Sequence, residues 1–314
     1  MMKKLIPAAV LMTLVGAAQA HVTMYGLIDM SYGKNEMVGE TKDDIHSGGD
    51  AGQHGGSQGN STTKVGLKGS TDVGSGVKAN FQLETGGVHS DGSIQGSFFG
   101  RQAWAGLSGS FGEVRVGLQD SVAFQTMIGF DFNGAANAAS AQANSGAGTF
   151  FGSAHPLERQ VQYISPVMGG FKAHLGVLPA GNVPGAETVA AIGLTYTAGP
   201  FAAAVVGESK GTTTSKDFSS VAASYDLGVA KFMVGYATNA GGGNGKGASF
   251  GVTAPVAGVN VGFQVTKNDD AGVTATEFFV NKEIFKGTYA YADFGSVDKP
   301  STKNAYAVGV IFTF

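Results

Sequence analysis

The sequence predicts an all-β fold, a sixteen-stranded antiparallel transmembrane β-barrel. Three observations predict it: an export signal at the start, apolar/polar alternation of period two from Val22 to Phe314, and connections that alternate between short and long. The final segment shows the pattern most plainly. Tyr306, Val308, Val310, Phe312 and Phe314 share one side of a period-two strand, and the other side carries mostly small residues. That is the arrangement expected where one face meets lipid and the other a lumen.

Met1-Met2-Lys3-Lys4 is a basic segment and Leu5 to Gly16 an apolar one, followed by Ala18-Gln19-Ala20. This is the order of a secretory signal peptide, residues 1–20, with cleavage after Ala20 and a barrel domain over 21–314. The apolar run is shorter than the roughly 20 residues a helix needs to span a bilayer. Nothing downstream reads as a transmembrane helix, so any crossing is made by strands.

The alternation divides the mature chain into strands at 22–33, 61–71, 77–86, 98–108, 113–119, 158–166, 171–178, 187–197, 201–208, 217–226, 231–238, 246–255, 259–267, 275–285, 288–295 and 303–314. In the third of these, Val77, Ala79, Phe81 and Leu83 alternate with Lys78, Asn80, Gln82 and Glu84. Short connections such as Ala198-Gly199-Pro200 and Lys286-Gly287 alternate with long ones at 34–60, 87–97, 120–157 and 239–245. All seven prolines after residue 20 fall in or at the edge of connections, where a missing N–H costs no ladder bond. An even strand number lets the last strand pair with the first and leaves no edge. A soluble sandwich or β-helix also alternates with period two. The loop scheme and the Gly-, Ala- and Ser-rich second face weigh against both.

Composition removes several functions. Taking Lys3 and Lys4 from the 20 basic residues leaves 18 against 23 acidic ones, a formal −5 with no overall pull on nucleic acid. The absence of cysteine excludes disulfides, thiolate metal sites and a cysteine nucleophile. Gly241 to Gly247 resembles a phosphate loop, yet Ala240 and Gly247 stand where Gly and Ser or Thr are needed. His46, His54 and His89 lack metal-site spacing, and His155 and His174 lack a serine partner, so neither a cofactor nor an enzyme is expected.

Met24-Tyr25-Gly26-Leu27-Ile28-Asp29 resembles the first strand of the trimeric general porins of Gram-negative bacteria. Lys64 to Gly69, Gly100 to Leu107, Phe111 to Gly117, Gln162-Tyr163-Ile164-Ser165-Pro166 with Gly170-Phe171, and the terminal Phe314 continue the resemblance in the family's order. It implies a homotrimer in the outer membrane, in contact with its lipid, through which ions and small hydrophilic solutes pass by diffusion. It also implies that the third long loop folds inward as a constriction.

Residues 120–157 fit such a loop. About 38 residues without strand pattern far exceed the usual ceiling of about 12–15, and a loop that long is usually functional or disordered. Its only acids are Asp120 and Asp131. Strand parity supplies the facing wall. With Val65 and Leu67 outward, Lys64 and Lys68 point inward; with Trp104 outward, Arg101 points inward. The same logic places Lys78, Arg115 and Lys172 in the lumen, with Glu84 and Glu113 as nearby acids. Lys64 and Arg101 also fall where the resemblance places the family's constriction bases. Arg159 fits the family's third basic position but has the parity of outward Val161 and Tyr163. Either its strand begins later or a bulge turns it inward. Few loop acids against these bases lean the pore towards anions. A substrate-selective channel is the alternative. It favours an aromatic track, for which Tyr25, Tyr289 and Tyr291 are scattered candidates.

Overall fold

The first strand, β1 (His21–Asn35), sets the parity of the wall: Asp29, Ser31 and Asn35 are buried, while Met24, Met30 and Tyr32 are exposed. The computed structural model describes residues 21–48, 59–134, 137–147, 157–243 and 245–314. The expected signal peptide, residues 1–20, lies outside them. After β1 come β2 (Asp44–Ser47), β3 (Lys64–Gly74), β4 (Val77–Glu84), β5 (Gln102–Gly109) and β6 (Gly112–Asp120). The helices α1 (Val122–Met127) and α2 (Ala141–Ser145) follow, then β7 (Leu157–Ile164), β8 (Phe171–Leu178), β9 (Val189–Ala198) and β10 (Phe201–Glu208). The wall ends with β11 (Phe218–Asp226), β12 (Lys231–Asn239), β13 (Gly245–Val256), β14 (Val259–Asn268), β15 (Val273–Phe285), β16 (Thr288–Val297) and β17 (Lys303–Thr313).

Sixteen of these strands form a closed antiparallel barrel, each paired with its neighbours in sequence order. The seam is the β1–β17 ladder, which runs from Leu27↔Thr313 to Asn35↔Ala305. Gly26 and Phe314 extend it by exchanging hydrogen bonds, N–H to carbonyl, at 3.0 and 3.2 Å. Closure satisfies the backbone polar groups that lipid cannot solvate, which is why strands cross membranes only as barrels.

The seventeenth strand, β2, was not apparent in the sequence. On its other edge β1 pairs with β3 only from His21 to Leu27, and β2 takes over from Met30 to Gly33. The reason is local: residues 60–63 leave the ladder because the Asn60 and Ser61 N–H groups donate to Asp29 Oδ2 at 2.7 and 2.6 Å. β3 therefore begins at Lys64, and β2 fills the vacated edge. The strand expected from residue 98 likewise starts at Gln102.

The outer face is predominantly apolar. Val65, Leu67, Leu107, Val116, Val161, Leu175, Ile192, Val221, Val234, Phe278, Val308 and Phe312 are all exposed on one parity. At the short-turn rim the register aligns Phe171 with Tyr196, and Phe201 with Tyr225, which in turn pairs with Phe232. The ring centroids of Phe171 and Tyr196 lie 4.4 Å apart, and those of Tyr196 and Phe201 6.3 Å apart. Such a row is an interfacial aromatic girdle. No helix among the described residues is long and apolar enough to cross a membrane.

Two changes at the seam test its weight. Deleting Phe314 removes both bonds to Gly26. In Gly33→Val the new Cβ collides with the Tyr306 carbonyl across the ladder. Both are expected to lower the folded fraction in membranes severalfold, read as heat-modifiable migration on unheated gels. An unchanged fraction for both would show that the barrel closes without them.

Candidate functional site

The described residues of the connection between β6 and β7, 121–134 and 137–147, run along the inside of the wall. Ser121 caps α1 by accepting a hydrogen bond from the Phe124 N–H at 3.0 Å. Val122, Ala123 and Met127 of α1 and Phe130 beyond it pack on inward residues of β10, β11 and β12: Ala204, Val206, Phe218, Ala222, Met233 and Ala237. The chain comes this close because glycine lines its path. A Cβ on Gly176 would meet Val122 at 2.6 Å, and one on Gly193 would strike Thr126. The small inner-face residues that looked like lumen lining are in part a seat for this segment.

Past Phe130 the segment crosses to β14, β15 and β16 and is held there by polar side chains. Gln264 Nε2 donates to Asp131 Oδ1 at 2.8 Å and to Glu277 Oε2 at 3.1 Å. Glu277 also accepts from Asn133 Nδ2 at 2.8 Å and, at the start of α2, from the Ala141 N–H at 3.0 Å. Asn60 Nδ2 bridges Asn133 Oδ1 and Asp293 Oδ2, each at 2.9 Å. Tyr291 donates to Asp29 Oδ1 at 2.6 Å, and Asn268 Nδ2 to the Ser145 carbonyl at 2.9 Å. Asp29, Glu277 and Asp293 are buried, as is Gln264. Neither Gln264 nor Glu277 stood out in the sequence, yet both lie on inward parity and face one another in register. That pairing was the available signal.

Asp131 therefore differs from expectation. It was read as a loop acid facing the basic wall, but it is 7% exposed and bound to Gln264. Burial, the largest influence, pushes its carboxyl above the usual carboxylate range. It anchors the loop and presents little charge to the lumen. Asp120 ends β6, and its Oδ2 accepts from Gln102 Nε2 at 3.0 Å.

The basic residues gather on the arc from β3 to β8, which begins beside β1. Buried Glu84 accepts from Arg101 Nε at 2.8 Å and from the Tyr25 hydroxyl at 2.8 Å, and lies 3.4 Å from Lys64 Nζ. Lys68 Nζ stands 5.1 Å from the centroid of the Tyr25 ring. Arg115 lies 4.3 Å from the centroid of the Trp104 ring and donates to Glu113 at 2.6 Å. Lys78 pairs in register with Ser108, and Lys172 with Thr195, on the same inward face.

Two readings of the wall change. Trp104 faces inward, opposite Gln82 in register, with its indole N–H donating to Gln102 Oε1 at 3.0 Å. Arg101 still reaches Glu84 because it lies just before β5, outside the parity rule. Arg159 faces outward: it pairs with Leu118 in an unbroken β6–β7 register, and the inward positions beside it belong to buried Gln160 and Gln162. No bulge turns it. A cation on the lipid face costs about 2–4 kcal/mol at mid-membrane and about 0–1 near the interface. Arg159 is the third residue of β7, at the long-loop end.

Of the three candidates for an aromatic track, Tyr25 and Tyr291 are committed to Glu84 and Asp29. His46 and His89 are buried rather than solvated. The described residues hold no group of three or more metal-ligating side chains. His54 and His155 lie outside the described residues.

Replacing Glu277 by Ala strands the Asn133 amide and the Ala141 N–H, at about 1–3 kcal/mol for each buried group. The expected outcome is faster proteolysis between Asp131 and Ala147 in the folded protein, with β-type circular dichroism unchanged. Wild-type resistance would show that Glu277 does not hold the segment.

Residues 8–312 match the family of Gram-negative porins. The chain is 32% identical over 256 residues to outer membrane porin protein 32 of Delftia acidovorans, covering 73% of this chain and 68% of that protein. It is 31% identical over 315 residues to an outer membrane porin protein of Bordetella pertussis, covering 89% and 80%. Among solved structures, an anion-selective porin from Comamonas acidovorans aligns with a TM-score of 0.74 at 22% identity, over 94% of this chain and 100% of that one. A loop-deletion form of the Vibrio cholerae outer membrane protein OmpT aligns at 0.69 and 15% identity, over 94% and 99%. With the closed barrel already described, this whole-length match places the chain in the Gram-negative porin family, among the β-barrel porins of the outer membrane.

Proposed function

We propose that the protein is a general-diffusion porin, a water-filled channel for passive passage of ions and small hydrophilic solutes, with a weak preference for anions. The observation that carries this is the segment after β6, seated inside the barrel between β8 and β16, with basic side chains on the wall it leaves uncovered. An inward segment of that kind sets a size limit, and the charges around it set the local field.

The preference for anions rests on which charges face the lumen. Lys64, Lys68, Lys78, Arg101, Arg115 and Lys172 lie on inward positions, offset by Glu84, Glu113 and Asp120. Asp131, the loop's other acid, is spent on the wall. Among the described residues, the carboxylates on the far side are buried in the loop's hydrogen bonds. A solute passing between the two sides meets uncompensated positive charge within about one Debye length, ~8 Å at physiological salt.

Replacing Lys64 and Arg101 together by Glu is expected to move the reversal potential under a salt gradient towards cations, with a severalfold change in permeability ratio at low salt. Asp131→Asn is expected to shift it much less, because that carboxyl is buried. Equal shifts for the two variants, or none for the basic pair, would place the selectivity elsewhere. The homotrimer belongs to the same reading. The protein in mild detergent is expected to migrate as an oligomer before heating and as a monomer after it, starting at His21 when sequenced. A monomer under mild extraction would remove the trimer from the reading.

A further inference from the structure

Arg159 has no role in the lumen, and its surroundings on the outer wall give it another. It borders a groove of about 590 Å³, within the range of about 300–1,000 Å³ typical of small-molecule sites. The groove lies on the outward parity of β6 and β7, floored by Val116, Leu118 and Val161. Phe99, from the connection before β5, and Pro179, just after β8, close it at the long-loop rim. Among the described residues, Arg159 is its only charged group and no acid lines it. Val116 and Val161 are both well exposed.

The chemistry of such a groove is specific. Its apolar floor continues the lipid-facing surface, so it takes hydrocarbon. The guanidinium stands at the rim where strands give way to long loops, the depth of a headgroup, and a planar fork of N–H donors there suits a phosphate. A zwitterionic lipid shares its phosphate with its own headgroup cation and compensates Arg159 only in part, and a free phosphate leaves the apolar floor uncovered. We propose that Arg159 and this groove form a binding site for one anionic, phosphate-bearing lipid of the surrounding leaflet, with the phosphate on Arg159 and an acyl chain along Val116, Leu118 and Val161.

The test is native mass spectrometry of the full-length folded protein in detergent, titrated with phosphatidylglycerol or with phosphatidylcholine of the same acyl chains. Wild type is expected to retain phosphatidylglycerol in preference. Arg159→Gln is expected to weaken phosphatidylglycerol about fivefold, as for loss of one basic contact at a lipid surface, and to weaken phosphatidylcholine much less, because its phosphate is shared with its own choline. Arg159→Lys is expected to keep most of the preference, and Val161→Trp, which fills the groove, to weaken both lipids. Absence of an anionic preference in wild type overturns the proposal without need of any variant. So does an unchanged preference in Arg159→Gln, or full displacement of the lipid by inorganic phosphate. If Arg159→Gln alters the oligomer and not the lipid count, the groove is a contact between copies and the lipid site is refuted.

Discussion

Hydrogen-bond closure in a solvent that offers no hydrogen bonds is the constraint on which the rest of this molecule depends. Lipid cannot satisfy a free strand edge, so the last strand must meet the first, and it does so through Phe314 and Gly26. Where the chain leaves the ladder to follow Asp29, a separate four-residue strand, β2, covers the exposed part of β1. Once the sheet is closed, side chains divide by parity into a lipid face and a lumen face. Every functional placement then becomes a question of odd or even.

The inner face carries two kinds of contact, and they hold the constriction in different ways. On β8 to β12 the residues that meet the segment are apolar, with Gly176, Gly193, Ala204 and Ala222 leaving room for α1, so that half docks by burial. On β14 to β16 it is polar, and Gln264, Glu277, Asn268 and Asp293 pair with the segment's amides and backbone. The apolar half fixes depth and the polar half fixes direction, because hydrogen bonds demand geometry that packing does not. A segment held at both ends stays inside the barrel, against the wall.

Much of this was legible where the strands run unbroken. Val77 to Glu84 and Val259 to Thr266 alternate cleanly, so their lumen faces follow from the sequence alone. Legibility failed where parity was assigned from one conspicuous residue. Trp104 looked lipid-facing by size, yet its N–H has a partner in Gln102 and its ring one in Arg115, so it is accommodated inside. Ala105 and Leu107 shared the true outward parity and were the better guide. Arg159 failed in the opposite way: its parity was read correctly, and the family resemblance argued against it. The belt around Glu277 was hidden for a different reason. Its Gln264–Glu277 pair shares inward parity in adjacent strands, but its links to the loop join residues more than a hundred positions apart, and no local pattern encodes those.

The charge distribution follows from the same geometry. The described helices of the loop lie against β8 to β10 and β14 to β16, which leaves the bases on β3 to β6 at the lumen, and Glu84 offsets only part of their charge. Acids on β1, β15 and β16 lie beneath the segment that crosses them, and their oxygens are largely taken up by amides. Removing a carboxylate from that side therefore loosens the loop before it changes the field. On the other side Arg101 and Arg115 bond to Glu84 and Glu113 rather than to the segment, so in the proposed reading the bases act on the field and not on the loop's seat. In the proposed reading the loop separates two properties that an open barrel would mix: its anchor is acidic and buried, and the side chains assigned to selectivity are basic and lie on the other arc.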